Sequence, residues 1–153
     1  MPDKPWLTDE QQRVWRTYLG MQAALFERVE RELQSSAGMP MAYYLVLAML
    51  SEAPDETLRM SQLARQSQMS QSRLSHAVSR LEGSGWVTRS PASDDKRGQL
   101  AHLTDAGRAR LIEVAPSHAE TVRSLMFDGL SDGQLVELGE ISRLVLDRIE
   151  STD

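Results

Sequence analysis

A mostly helical fold with a single β-hairpin is what this sequence predicts: about six helices, with two short strands between the fourth and the fifth. Three observations carry that expectation. Apolar residues recur at three- and four-residue steps through most of the chain, the period of a helix with one buried face. Two capping boxes, Thr8 with Gln11 and Ser131 with Gln134, mark helix starts near both ends. Trp86-Val87-Thr88-Arg89 and Leu100-Ala101-His102-Leu103 are short runs of sheet-favouring residues separated by a polar loop.

The first helix starts after Thr8, with Leu7 placed for a hydrophobic staple. Its apolar face is Val14, Trp15, Tyr18, Met21, Leu25, Val29 and Leu33, and Ser35-Ser36-Ala37-Gly38 ends it. Pro40 suits the first turn of a second helix. The following run, MAYYLVLAML, is apolar nearly all round, as in a helix buried on most sides. Ala53-Pro54-Asp55 closes it. A short helix fits Met60 to about Gln66, Ser67-Gln68-Met69 makes a turn, and Ser70 caps the next helix. There Leu74, Ala77, Val78 and Leu81 form the buried stripe, and Ser72, Arg73, Ser75, His76, Ser79 and Arg80 face away from it. Gly83 and Gly85 are placed to end that helix. The two strands follow, joined by Ser90-Pro91-Ala92-Ser93-Asp94-Asp95-Lys96-Arg97-Gly98. Thr104 caps a fifth helix towards Phe127, in which Pro116 removes a backbone donor and predicts a kink. The sixth carries Leu135, Leu138, Ile141, Leu144, Val145 and Ile149 on one stripe. The chain has no internal repeat, low-complexity segment or linker, so one domain over residues 1–153 is expected.

Composition narrows the function classes. The 153 residues fit one ordinary domain. No apolar run approaches the roughly 18 residues that cross a bilayer. The first twelve residues hold no apolar stretch of the kind a secretory leader needs, so a cytoplasmic protein is expected. With no cysteine, the chain has no disulfide framework, thiolate metal site or thiol redox sensor. His76, His102 and His118 lie on three different elements without metal-ligand spacing, so no metal is expected, and no cofactor. No Ser-His-Asp grouping, Gly-rich phosphate loop or carboxylate pair suggests an enzyme. The net charge of −5 argues against a polyanionic partner, but its distribution does not. Residues 57–104 hold seven basic and three acidic side chains, a net +4, which leaves −9 on the rest. A basic middle between acidic ends suits a local phosphate-binding face.

The helix-turn-helix and the hairpin together resemble the winged helix-turn-helix of the MarR family of bacterial transcriptional regulators. The resemblance is carried by LARQSQMSQSRLSHAVSRLEGSGWVTR and by Asp95-Lys96-Arg97 followed after a short strand by Leu103-Thr104-Asp105-Ala106-Gly107. It covers nearly the whole chain in helix order. It implies a winged DNA-binding part over residues 57–104, and a homodimer built from dimerisation helices at 8–35 and 104–150. The apolar stripes at both ends accord with a dimer, although periodicity alone fits intramolecular packing equally. Two recognition helices related by symmetry imply a roughly palindromic operator in double-stranded DNA, with half-sites about one turn apart.

On that resemblance the candidate DNA contacts are Ser70, Gln71, Ser72, Arg73, Ser75 and His76 on the recognition helix, with Arg89, Lys96 and Arg97 on the hairpin. Gln71 has the two-pronged amide that matches adenine, and Arg73 the fork that matches guanine. Arg97 resembles the family's wing arginine, which enters the minor groove, where a narrow groove concentrates negative potential. Asp95 reads as the partner that orients Arg97, since a carboxylate would be repelled by phosphate. Trp15, Tyr18, Tyr43 and Tyr44 are candidates for lining a small-effector pocket, because many members of the family bind small aromatic acids. Aromatic residues on apolar helix faces equally belong to a core. A polar helix face equally serves solvation, and a winged domain can dock a protein instead of DNA. A repressor released by a small aromatic or phenolic effector is the function the resemblance implies.

Overall fold

The structure, a computed structural model, describes residues 6–92 and 98–151. Six α-helices and three strands are laid out as α1 (Asp9–Ala37), α2 (Met41–Glu52), β1 (Thr57–Arg59), α3 (Met60–Gln66), α4 (Gln71–Gly83), β2 (Val87–Pro91), β3 (Gln99–Leu103), α5 (Asp105–Val122) and α6 (Asp132–Glu150). Both capping boxes form. The Thr8 N–H donates to Gln11 Oε1 at 2.9 Å, and the Gln11 N–H donates to Thr8 Oγ1 at 3.2 Å. Ser131 and Gln134 repeat the exchange at 2.9 and 3.3 Å. α2 starts differently, since Pro40 stands just before it and supplies no side-chain acceptor. Glu30 of α1 does so instead, accepting from the Met41 N–H at 3.0 Å, a carboxylate at the positive end of a helix dipole.

The predicted two-stranded hairpin forms as β2 and β3, and a third strand that the sequence did not suggest joins it. β1 pairs antiparallel with β3, giving a sheet in the order β1-β3-β2. Thr57 faces His102 and Arg59 faces Leu100 across one side of β3. On the other side Val87 faces Leu103 and Pro91 faces Gln99. A lone hairpin would leave the far edge of β3 unpaired, and β1 satisfies those backbone groups. The alternation of a strand then separates two faces. Leu58, Val87, Ala101 and Leu103 are buried on one, while Thr57, Ser90 and His102 share the other.

The chain divides into two compact units, Phe26–His118 and a second made of Met1–Leu25 with Ala119–Asp153. The first unit holds the buried hydrophobic residues: Val29 and Leu33 of α1, Val46, Leu47 and Leu50 of α2, Leu63 of α3, the α4 stripe and Leu111 and Val114 of α5 among them. The predicted stripe of α4, Leu74, Ala77, Val78 and Leu81, is buried in full. In the second unit α6 has no buried residue at all, and Ile141 and Leu144 are 62% and 65% exposed. α5 continues unbroken through Pro116. The irregular turn comes later, as a π-helical segment over Arg123–Phe127.

Candidate nucleic-acid interface

α3 ends in a tight hydrogen-bonded turn. The Met69 N–H donates to Ala64 C=O at 2.9 Å and the Gln68 N–H to Arg65 C=O at 3.2 Å, with Gln68 in the left-handed region at φ 54°. That pair of bonds is a Schellman motif, and it delivers Ser70 to the start of α4. Ser70 Oγ accepts from the Arg73 N–H at 3.3 Å and lies 3.2 Å from Ser72 Oγ. With the stripe buried, Gln71, Ser72, Arg73, Ser75, His76, Ser79 and Arg80 are all exposed. The first turn of α4 has no acidic residue, so its positive dipole end is left uncompensated by carboxylates. Six predicted contacts, Ser70 through His76 without Leu74, therefore share one accessible end of one helix.

α4 closes with a second Schellman pair, Trp86 N–H to Leu81 C=O at 3.0 Å and Gly85 N–H to Glu82 C=O at 2.9 Å. Gly85 takes φ 73°, which a glycine adopts without steric cost. The start of α5 is clamped onto that exit. The Thr104 N–H donates to Trp86 C=O at 3.1 Å, and Thr104 Oγ1 donates to Gly85 C=O at 2.7 Å. The same oxygen caps α5 by accepting from the Gly107 N–H at 3.0 Å. Arg110 completes the joint, its guanidinium 5.7 Å above the Trp86 ring and bonded to the Ala37 carbonyl that ends α1.

Arg89 is placed differently from the other predicted contacts. It is half-buried and ion-paired with Glu82 near the end of α4, so part of its charge is offset within the protein. One residue past the Pro91–Gln99 pair, the Ala92 N–H donates to Gly98 C=O at 2.9 Å. Asp95, Lys96 and Arg97 lie outside the described residues.

The four aromatic candidates fall into separate environments. Trp15 and Tyr18 stack on each other, with centroids 6.1 Å apart and planes 19° apart, and both are exposed. Tyr44 packs on His118 at 4.1 Å between centroids. Burial, and then the nearby charge of Glu52, push the Tyr44 hydroxyl up from its ordinary pKa. Burial pushes the His118 imidazole down, and its Nδ1 is enclosed with no hydrogen-bond partner among the described residues. Tyr43 lines a shallow open groove with Ser79, Arg80, Gly83 and Ser84. Among the described residues no helix is long and apolar enough to cross a membrane.

The sequence model of the MarR family matches residues 37–98. Sco3205, a MarR family transcriptional regulator from Streptomyces coelicolor solved in complex with DNA, is 47% identical, with a TM-score of 0.89 over 94% of this chain and 91% of that one. The chain belongs to the MarR family. AbsC, a second MarR family regulator from Streptomyces coelicolor, is 36% identical with a TM-score of 0.88, over 97% of this chain and 99% of AbsC. The transcriptional repressor YetL of Bacillus subtilis is 28% identical over 89 residues. That match takes in 58% of this chain and 53% of YetL, about half the length of that relative.

In this MarR chain the L-T-x-x-G segment has a structural explanation that the motif alone does not give. A Cβ at Gly107 would lie 2.1 Å from the Trp86 carbonyl oxygen, so only glycine lets α5 approach the exit of α4 closely enough for the two Thr104 bonds. Gly107, Arg110, Glu82 and His102 all shape this region, and the sequence assigned none of them a site role, although Gly107 entered as part of the L-T-x-x-G motif. Glu82 could have been found as an acidic exception in a basic stretch; the other three depend on contacts between distant segments.

Proposed function

We propose that this MarR-family chain acts as a homodimer that binds a roughly palindromic operator in double-stranded DNA and represses transcription until a small effector releases it. The observation that carries this reading is the likeness to Sco3205, a relative solved on DNA, at 47% identity over 94% of the chain. The exposed, carboxylate-free first turn of α4 supports it, because short polar side chains at a helix N-terminus suit phosphate and base edges. Gln71 and Arg73 are assigned to base edges, and Ser70, Ser72, Ser75 and His76 to phosphates or base edges. Lys96 is assigned to phosphate and Arg97 to the adjacent minor groove, oriented by Asp95. Arg89, held by Glu82, serves chiefly to fix the strand, with a secondary role at phosphate.

Dimerisation is supported by the second unit. Val14, Trp15, Tyr18 and Leu19 of α1, with Leu135, Ile141, Leu144, Val145 and Ile149 of α6, are exposed in the single chain. Large apolar side chains exposed in that number mark an interaction site. The repressor assignment follows the named role of YetL. Within one unit Trp15 with Tyr18, and within the other Tyr43 and Tyr44, are separate candidates for stacking a small aromatic effector. Such a ligand releases DNA only through unequal affinity for the DNA-competent and incompetent states.

The test is a selection from random duplex DNA at near-physiological salt, with sequencing of what the purified protein retains. A short palindrome supports the reading. A folded dimer that enriches nothing contradicts it and points to a protein partner or an obligatory co-ligand. Phenolic acids that neither shift Tm nor release the selected duplex contradict the effector part alone.

A further inference from the structure

The polar face of the three-stranded sheet carries a hydrogen-bond chain whose direction can be worked out. Thr57 Oγ1 lies 2.9 Å from the carbonyl oxygen of Asp55. A carbonyl can only accept, so the Thr57 hydroxyl spends its one proton there. The same Oγ1 is 2.9 Å from His102 Nδ1 and is left with lone pairs only, so Nδ1 must carry a hydrogen and donate. In the neutral imidazole the other nitrogen is then an acceptor. Ser90 Oγ, 2.7 Å from Nε2, donates to it. The chain runs from Ser90 on β2, through His102 on β3 and Thr57 on β1, to the Asp55 carbonyl, crossing every strand of the sheet.

Both ends of this chain matter. Ser90 is the penultimate residue of β2, next to Pro91, with which the strand ends. Asp55 and Glu56 both have φ of 51°, a left-handed conformation that costs a non-glycine residue energy and persists only where its surroundings hold it. Glu56 is held by an ion pair to Arg108 on α5. The hairpin strand that leads outward is thus tied, through His102, to a turn anchored on the body of the unit.

We propose that His102 is a positioning residue for DNA binding: it fixes the stem of the hairpin in register and direction through Ser90 and Thr57, without touching DNA itself. The inference rests on the reading of the hairpin as a DNA-contacting wing. The bridge needs a side chain with two hydrogen-bonding atoms on opposite sides, able to reach both neighbouring strands at once. Imidazole in the Nδ1–H form meets that need, and an aliphatic residue of similar size does not.

The probe is the palindromic duplex recovered by the selection above, bound by parent, His102→Leu, Ser90→Ala and Ser90→Thr. Hydroxyl-radical cleavage reports the minor grooves that flank the recognition-helix contacts, and guanine N7 methylation reports the major groove. His102→Leu and Ser90→Ala are expected to lose flanking minor-groove protection and to bind about ten-fold more weakly. They should keep major-groove protection, and Ser90→Thr, which retains the hydroxyl, should behave as the parent. Nitrogen-15 NMR of the parent should show neutral His102 protonated on Nδ1. Variants with the parent's affinity and footprint overturn the positioning role, as does uniform loss of both protections together with a collapsed Tm. A proton on Nε2 overturns the hydrogen-bond chain. A parent that leaves the flanking minor grooves unprotected overturns the wing reading itself, and the positioning role with it.

Discussion

Replacing Gly107 with alanine isolates the contact that sets α5 against the exit of α4. By helix propensity alone the change should help, since glycine inside a helix is about 1 kcal/mol worse than alanine. The geometry opposes it. The added methyl would stand 2.1 Å from the Trp86 carbonyl oxygen and 2.9 Å from both the Trp86 carbonyl carbon and Leu103 Cδ1. Two of those three atoms are backbone, so relief requires moving the 85–86 segment or the start of α5. Either movement strains the Thr104 bonds to Trp86 and Gly85, at 3.1 and 2.7 Å, each contributing about 1 kcal/mol. Overpacking adds about 1–3 kcal/mol. Set against the propensity gain, the net destabilisation is about 2–4 kcal/mol, and at about 2–4 °C per kcal/mol for a chain of this size Tm should fall by about 4–16 °C. Thermal and urea unfolding at fixed protein concentration measure it. A Gly107→Ala protein that melts at or above the parent would refute the account of the L-T-x-x-G segment as a close-approach device.

Four further outcomes are expected. Ser70→Ala removes the α4 cap and should cost about 1 kcal/mol in unfolding experiments, with a loss of DNA affinity beyond what that destabilisation explains. Ile141→Asp with Leu144→Asp, on the exposed stripe of α6, should shift the solution mass from two chains towards one; light scattering that still reports a stable dimer would move the interface elsewhere. Arg97→Ala should weaken binding to the selected duplex without lowering Tm, and should flatten the log–log salt dependence by about 0.9 for each phosphate neutralisation lost; unchanged affinity would remove Arg97 from the interface. His118 gives a pH dependence. Its folded pKa lies below the ordinary 6.5, so the unfolded chain binds the proton more readily. Its contribution is therefore complete above 6.5 and is lost as pH falls below that value. Between about pH 7.5 and about pH 5.5, Tm of the parent should fall more than that of His118→Phe, which keeps a ring against Tyr44; equal falls would contradict the assignment.

The parts of the fold that repeat or punctuate locally were legible in the sequence. Thr8 with Gln11, Ser131 with Gln134 and Ser70 mark helix starts because a cap needs only residues three apart. The α4 stripe was legible because one buried face imposes one spacing. β1 was not, for a physical reason: three residues are too few to show alternation, and Thr57-Leu58-Arg59 becomes a strand only through β3, whose Leu100, Ala101 and His102 are more than forty positions away. The bridge from His102 to Thr57 and Ser90 is hidden for the same reason. Arg89 was assigned to phosphate from sequence, and its ion pair with Glu82, seven residues back, appears only when the turn at Gly85 brings the two alongside. Gly107 could be recognised as part of a motif, yet why it must be glycine depends on Trp86, which only the folded chain brings to it. The apolar stripe of α6 was predicted, but its exposure in the single chain comes from the structure.

The central claim is that two chains read two half-sites of one operator. It is tested most directly by comparing affinity for the selected palindrome with affinity for the same duplex in which one half-site is scrambled, at one salt concentration. Each mismatched base pair costs about 1–3 kcal/mol, so scrambling several should weaken binding by at least about a hundred-fold, with two chains bound per intact palindrome. Equal affinity for the two duplexes, or one chain bound to each, would contradict the account.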